Sequence, residues 1–532
     1  MAQRKKLLRL APLWMTAALL LGLGWMSSAQ EPLDTVRADT TAAAPAPAAG
    51  TAGGLQEATT RAVDAESGVV TGGGQPGPVT GDVSAGQRAR LAREEAQGGT
   101  LAQRAVSLLG LLVFVGIGWA LSVDRRAVDW RTVAWGLGLQ FAFGALILLT
   151  DAGFAFFQGA NEMFTALLGY TQEGARFLFG NLITPNVPVG PAAGPYAPVA
   201  AGGSWANTGA LFAFSVLPTI IFFSSLMTLL YHLGIMQFFV KAFAWVMYRT
   251  MRISGAESLS TSGNIFLGQT EAPLLVKPFV KTMTLSELHL VMTGGFATVA
   301  GGVLAAYVGM LVAYFPNIAG HLIAASVMSA PAAVAISKVM FPEKEVPATR
   351  GEMRLELEKT DANVIDAAAR GASEGLGLAL NVGAMLLAFI ALLALVNGMI
   401  GWVAGWFGAE LSLQMILGWL GAPLAWLMGT PWKDALAVGT LIGEKTALNE
   451  FVAYLHLAEM LQGGEQLSAR SVVIATYALC GFANFSSIAI QIGGIGGLAP
   501  ERRGDLSRLG LRAMIAGTLA SFMTACVVGV LL

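Results

Sequence analysis

The segment GEKTALNEFVAYLHL, residues 443–457, places Glu444, Lys445, Asn449 and Glu450 inside a chain that is apolar for long distances on both sides. A second polar group, Gly268-Gln269-Thr270-Glu271, interrupts another apolar region within GNIFLGQTEAPLL. Carboxylates accept hydrogen bonds strongly, and primary amides both donate and accept, so these residue types suit the binding of a polar solute. Ionisable residues inside a membrane are costly and mark function by default. Two other readings stay open on the residues alone. Glu271 and Glu450 could form interhelical ion pairs with Lys445 or Lys277, or serve as a general acid and base. No nucleophile, metal-ligand or cofactor motif accompanies the two acids, so an enzyme is not expected.

The elements that must position these residues are membrane segments. Of the 532 residues, 55% are hydrophobic and 12% charged, against about 25% charged in a soluble domain. Mean hydropathy is +0.63. Apolar runs at 108–121, 132–149, 210–233, 290–314, 378–403 and 513–532 approach membrane-crossing length. The net charge of −1 argues against a nucleic-acid partner. Cys480 and Cys526 both lie in apolar segments and imply no disulfide framework, and His232, His289, His321 and His456 are scattered singly, without metal-ligand spacing.

Arg4, Lys5, Lys6 and Arg9 precede an apolar stretch and then Ser27-Ser28-Ala29, the pattern of a signal peptide over residues 1–29. An uncleaved anchor is the other reading. Residues 30–100 turn to Ala, Gly, Thr and Pro with almost no aromatics, so a disordered periplasmic tail is expected. The positive-inside rule then places Arg125, Arg126, Arg131, the basic amphipathic stretch KAFAWVMYRTMR, and the clusters at 344–370 and 502–512 in the cytoplasm. Region 151–207, with Arg176 its only basic residue, becomes a long outer connection, and the C-terminus is periplasmic. Arg88, Arg90 and Arg93 run against this orientation. It holds if residues 255–281 and 430–460 enter the membrane and return to the side they came from.

Those two segments have apolar arms too short to span, around a polar tip. Each is followed by a small-residue segment, GGFATVAGGVLAAYVGMLVAY or TYALCGFANFSSIAIQIGGIGG, and then by a final span. Hairpin, broken helix and span occurring twice is the organisation of an inverted-repeat transporter. Irregular backbone at membrane depth is tolerated only where protein covers it or a wet cavity receives it, so the two tips are expected to meet and form a site. The sequence thus reads as an all-α polytopic membrane protein. Residues 101–254 hold N-terminal helices and an interfacial helix, and 255–341 the first repeat. Residues 342–410 hold a cytoplasmic loop and a long scaffold helix, and 411–532 an interfacial segment and the second repeat.

At these residues the chain resembles the concentrative nucleoside transporter family. Residues 443–454 fit that family's G-x-K-x-x-x-N-E-F-V-A-Y motif at every specified position, and GNIFLGQTEAPLLVKPF, CGFANFSSIAIQIGG and DANVIDAAARGASEGL also resemble family segments. The likeness covers roughly residues 101–532. It implies a trimeric secondary transporter of eight transmembrane helices and two re-entrant hairpins per protomer, in a bacterial inner membrane, importing nucleosides with a cation. It assigns the nucleobase to Gln269, Thr270, Glu271 and Val303, and the ribose to Glu450, Asn484 and Ser487, with Phe482 as an aromatic contact. Sodium, the coupling ion, would be held by Asn264, by the Leu267 and Val299 carbonyls, and by Thr298; no other cofactor is implied. A proton carried on Glu271 or Glu450 is the alternative, and a different polyhydroxylated solute is a further one. A nucleoside offers amide-like base edges and a diol but no phosphate, and the proposed site has acids in place of the Arg cluster a nucleotide requires.

Overall fold

The computed structural model describes residues 69–70, 99–183, 186–189, 204–207, 212–351, 361–463 and 467–532. The signal peptide expected over 1–29, and nearly all of the tail over 30–100, lie outside them. The first helix, α1 (Leu101–Ala120), begins where Thr100 accepts from the Gln103 N–H and Gln103 accepts from the Thr100 N–H. Asp129 caps the second, α2 (Trp130–Leu149).

Region 151–207, expected as an outer connection, contains regular secondary structure among its described residues. It contains α3 (Asp151–Phe179), whose Ala160, Phe164, Leu168, Thr171 and Ala175 recur at three- and four-residue spacing and are buried. It also contains β2 (Asn186–Val189) and β3 (Ser204–Asn207), which pair antiparallel; β3 pairs in turn with β1 (Val69–Val70). This small sheet is an addition to a membrane fold that is otherwise helical, as expected.

A short turn at Phe212–Ser215 leads into α4 (Leu217–His232) and then α5 (Ile235–Met251). On α5, Met236, Val240, Ala244, Met247 and Met251 are buried while Lys241 and Arg249 are exposed, the two-faced pattern of a surface helix.

The first repeat starts with a hairpin formed by α6 (Gly255–Gly263) and a 3-10 helix (Ala272–Thr282). The broken helix follows as α7 (Leu285–Ala297) and α8 (Gly301–Leu311), and α9 (Ile318–Met340) completes the unit. The feet of α6 and α7 each carry a capping box, Ser254 with Glu257 and Thr284 with Glu287, and are joined where Ser254 Oγ donates to Glu287 at 2.6 Å. Lys338 on α9 closes the group by pairing with Glu257 at 2.5 Å and donating to Ser286 Oγ at 2.8 Å.

After the 42-residue α10 (Val364–Gly405), the second repeat runs through α11 (Leu413–Leu427), α12 (Trp432–Ala447) and α13 (Glu450–Gln462). Its broken helix is α14 (Ala469–Leu479) and α15 (Phe485–Leu498), followed by α16 (Arg503–Leu531). Helix α11, expected as an interfacial segment, folds against α12 at a bend of 119°. Gly421 and Gly439 meet there with no room for a Cβ on either.

Seven helices among the described residues are long and apolar enough to cross a bilayer, or eight if the bent pair α11–α12 counts as one span. The arms of the second broken helix, 11 and 14 residues long, each fall short of a crossing on their own. The chain is a multi-pass membrane protein. Burial separates its layers: 94% of the apolar window in α9 is buried but only 11% of that in α10. Helix α9 and the first broken helix, with 89% of its window buried, are therefore central, and α10 is peripheral.

Candidate functional site

Both helix interruptions lie at the centre of the molecule and touch. The first spans Thr298–Val299–Ala300 and the second runs from Cys480 to Asn484; the Phe482 N–H donates to the Thr298 carbonyl across them at 3.3 Å. Gly481 makes the approach feasible. Its φ is +130°, and a Cβ there would strike the Phe296 and Ala297 backbone.

The ends that face these breaks are capped by their own polar residues. Asn449 accepts from the Val452 N–H at the start of α13, and Asn484 accepts from the Ser487 N–H at the start of α15, both at 2.9 Å. Capping fixes the Asn484 amide with its oxygen toward α15, so its nitrogen must point outward. That nitrogen donates to Glu450 Oε2 at 2.8 Å, and Tyr307 donates to Glu450 Oε1 at 3.0 Å. On the other flank, Gln269 Nε2 donates to Ser487 Oγ at 3.2 Å. A continuous chain of contacts, Gln269 to Ser487 to Asn484 to Glu450, thus links the two hairpin tips, and every member is buried.

The remaining expected residues surround this chain with different degrees of engagement. Val303 is buried in the first turn of α8, and Phe482 is buried at the second break. Thr270 is half-buried against α15, where a Cβ on Gly494 would come within 2.6 Å of its methyl group. Glu271 is exposed, and its Oε2 accepts from the Gly268 N–H at 2.5 Å, bracing the tip. No hydrogen bond among the described residues ties Glu271 to the Gln269–Glu450 chain.

The ion-pair reading does not hold for Lys445 or Lys277. Lys445 Nζ donates to the Ala478 carbonyl at 2.8 Å, in the last turn of α14, where a cation satisfies an orphan carbonyl. Lys277 is exposed. Glu444 instead pairs with His456 at 2.8 Å, which ties the two arms of the second hairpin together.

The residues expected to hold a cation sit beside the first break. Asn264 is fully buried, its Nδ2 donates to the Ser260 carbonyl, and its Oδ1 has no partner. Thr298 donates its hydroxyl hydrogen to the Gly294 carbonyl at 2.9 Å, which leaves oxygen lone pairs available. No hydrogen bond among the described residues ends on the Leu267 or Val299 carbonyl. An unpaired buried amide oxygen beside unpaired carbonyls fits a hard cation, which takes oxygen ligands.

Two polar residues of the site escaped the sequence reading. Tyr307 lies four residues after Val303 on α8, and Gln491 four after Ser487 on α15. Spacing of three and four places Asn484, Ser487 and Gln491 on one helix face, and that spacing was the available signal.

This arrangement can be set beside known proteins. A family described as "Na+ dependent nucleoside transporter C-terminus" matches residues 321–529, and its N-terminal counterpart matches residues 109–182. A third, described as "Nucleoside recognition", matches residues 213–314. An "Uncharacterized transporter" of Haemophilus influenzae is 45% identical over 427 residues, covering 80% of this chain and 96% of that protein. The chain belongs to the concentrative, Na+-dependent nucleoside transporter family. Another relative, "Sodium/nucleoside cotransporter 1" of Rattus norvegicus, is 43% identical over 443 residues, which are 81% of this chain but only 64% of the rat protein. The chain thus spans less than two thirds of that mammalian relative.

A solved structure described as "Structure of CNTnw in an inward-facing substrate-bound state" superposes with a TM-score of 0.71 at 44% identity, covering 80% of this chain and 97% of that one. The family matches at 213–314 and 321–529 include both hairpins and both broken helices of this family member. The small strand β1 lies outside all three matched regions.

Proposed function

We propose that this protein is a secondary active symporter that imports nucleosides across a bacterial inner membrane, driven by sodium. The observation that carries the reading is the buried polar chain from Gln269 through Ser487 and Asn484 to Glu450, which joins two re-entrant tips at the breaks of two helices. Such a chain has amide groups at one end and a carboxylate at the other. A nucleoside has the complementary order, a base edge with amide-like donors and acceptors and then a diol. Gln269, Thr270, Glu271 and Val303 are assigned to the base. Glu450, Asn484 and Ser487 are assigned to the ribose, with Phe482 against it. Sodium is assigned to Asn264, Thr298 and the carbonyls of Leu267 and Val299.

Coupling follows from chain continuity. Asn264 and Gln269 are five residues apart on one hairpin, so a cation that orders Asn264 favours the tip geometry that holds the base. By linkage the nucleoside must favour the cation equally. The protein would work as a homotrimer in lipid, with the peripheral α10 as part of a static frame and the hairpins and broken helices as the moving unit. One observation favours the proton alternative: Glu271 is exposed and, among the described residues, its side chain bonds only to its own turn, so protonation there would not break the buried chain.

The test is uptake of labelled uridine by purified protein in liposomes. Accumulation competed by unlabelled nucleosides, and not by ribose or glucose, is expected. Competition by sugars alone would transfer the site to another polyhydroxylated solute, and equilibration without accumulation under any ion gradient would make the protein a channel.

A further inference from the structure

Gln491 has been given no role in the site so far, yet its amide reaches the base-reading end of it. Its Nε2 lies 3.1 Å from the Met292 carbonyl and 3.1 Å from Gln269 Oε1. A backbone carbonyl can only accept a hydrogen bond, so the Gln491 atom facing Met292 must be the amide nitrogen. The same nitrogen faces the side chain of Gln269. Two amide nitrogens cannot bond one another, so Gln269 must turn its oxygen toward Gln491 and its nitrogen toward Ser487. The orientation of Gln269, which a side-chain amide alone leaves two-fold ambiguous, is therefore dictated by a backbone group on α7.

Two further observations bear on this relay. Gly295 makes room for it: a Cβ there would lie 2.9 Å from Gln491 Nε2 and 2.9 Å from Gln269 Cβ. In addition, Gln491 is completely buried and its Oε1 has no partner. An orphaned buried oxygen is unfavourable, and an apolar side chain of similar length would fill the same space without it. Packing therefore does not account for an amide at this position, whereas the orientation of Gln269 does.

Resting on the nucleoside reading above, we infer that Gln491 is a positioning residue that sets the polarity of the base-recognition amide. With one lone pair of Gln269 Oε1 taken by Gln491, and one Nε2 hydrogen on Ser487, the second Nε2 hydrogen is held as the donor presented to a ligand. The base edge it suits is an acceptor, a carbonyl oxygen or a bare ring nitrogen, and an exocyclic amino group is disfavoured there. Without Gln491 the Gln269 amide is free to flip and to offer its oxygen to an amino group instead.

The experiment is uptake of uridine and cytidine, which differ at a keto and an amino group, into liposomes containing wild type, Gln491→Met, Gln269→Met and the double variant. In Gln491→Met, the KM for uridine should rise roughly tenfold with the maximal rate retained, and the uridine-to-cytidine ratio of kcat/KM should move toward cytidine. Adding Gln491→Met to Gln269→Met should change KM by less than about twofold, because Gln491 acts through Gln269. A merely structural role would depress both substrates equally and would persist in the Gln269→Met background. Gly295→Ala should reproduce the Gln491→Met shift and decides the matter if Gln491→Met does not reach the membrane. An unmoved ratio, or effects that multiply in the double variant, would overturn the inference. A wild-type protein that carries neither nucleoside would instead overturn the reading on which it rests.

Discussion

Replacing Glu450 by Gln changes one atom at the centre of the polar chain, and the consequences can be worked from the neighbours. Both carboxylate oxygens accept: Oε1 from Tyr307 at 3.0 Å and Oε2 from Asn484 at 2.8 Å. Gln supplies one acceptor and one donor. If its oxygen stays with Tyr307, its nitrogen opposes the Asn484 nitrogen. Asn484 cannot flip to relieve this, because its Oδ1 holds the Ser487 N–H and the Ser486 hydroxyl at the start of α15. One charge-assisted hydrogen bond is lost, about 1.5–2 kcal/mol, and one buried donor is left unpaired at a similar cost. The total, about 3–4 kcal/mol, corresponds to roughly 10²–10³ in kcat/KM. The assay is initial-rate uridine uptake at matched protein levels in liposomes, with Glu450→Asp, which keeps the charge but shortens the reach, expected between the two. Uptake by Glu450→Gln within about fivefold of wild type would refute the assignment of Glu450 to the ribose.

The neighbours of this carboxylate and the joints of the repeat give further expectations. Tyr307→Phe removes a single hydrogen bond to Glu450 and should raise the KM for uridine about five- to tenfold, whereas an unchanged KM would place the hydroxyl outside the site's energetics. Gly481→Ala should lower thermal stability in detergent by about 1–3 kcal/mol, since the added methyl meets the Phe296 and Ala297 backbone at a φ of +130°; unchanged melting would contradict the close contact of the two breaks. Lys338→Met strands the buried Glu257 carboxylate at the foot of the first hairpin and should cost about 3–5 kcal/mol. Glu257→Gln in the same chain should recover much of that loss, measured by the same melting experiment.

The hairpins were legible in the sequence because each sets a polar tip between apolar arms too short to cross, a pattern that depends only on neighbouring residues. The N-caps at Asn449 and Asn484 fall at those same interruptions, so Glu450 and Ser487, which follow them, were found together with them. What the sequence did not disclose depends on distant partners. Gln491 and Gln269 are 222 residues apart, and Tyr307 and Glu450 are 143 apart; nothing local marks either pair. Lys445 stands five residues from Glu450 and looked like its counter-ion, but helical geometry carries it to the Ala478 carbonyl instead. Helix α3 was missed for another reason. Its apolar stripe is one face of a helix that also carries Glu162, Glu173 and Arg176, so average hydropathy passes over it while helical periodicity does not.

The central claim is that a sodium ion at Asn264 and a nucleoside at Gln269 and Glu450 are moved as one. Its most direct test is uridine accumulation in proteoliposomes under an inward sodium gradient or an inward proton gradient at matched membrane potential, for wild type and Asn264→Ala. Accumulation driven by sodium and lost in Asn264→Ala is the predicted result. Accumulation driven by protons alone, and retained in Asn264→Ala, would contradict it and move coupling onto a carboxylate, with Glu271 and Glu450 the first to be examined.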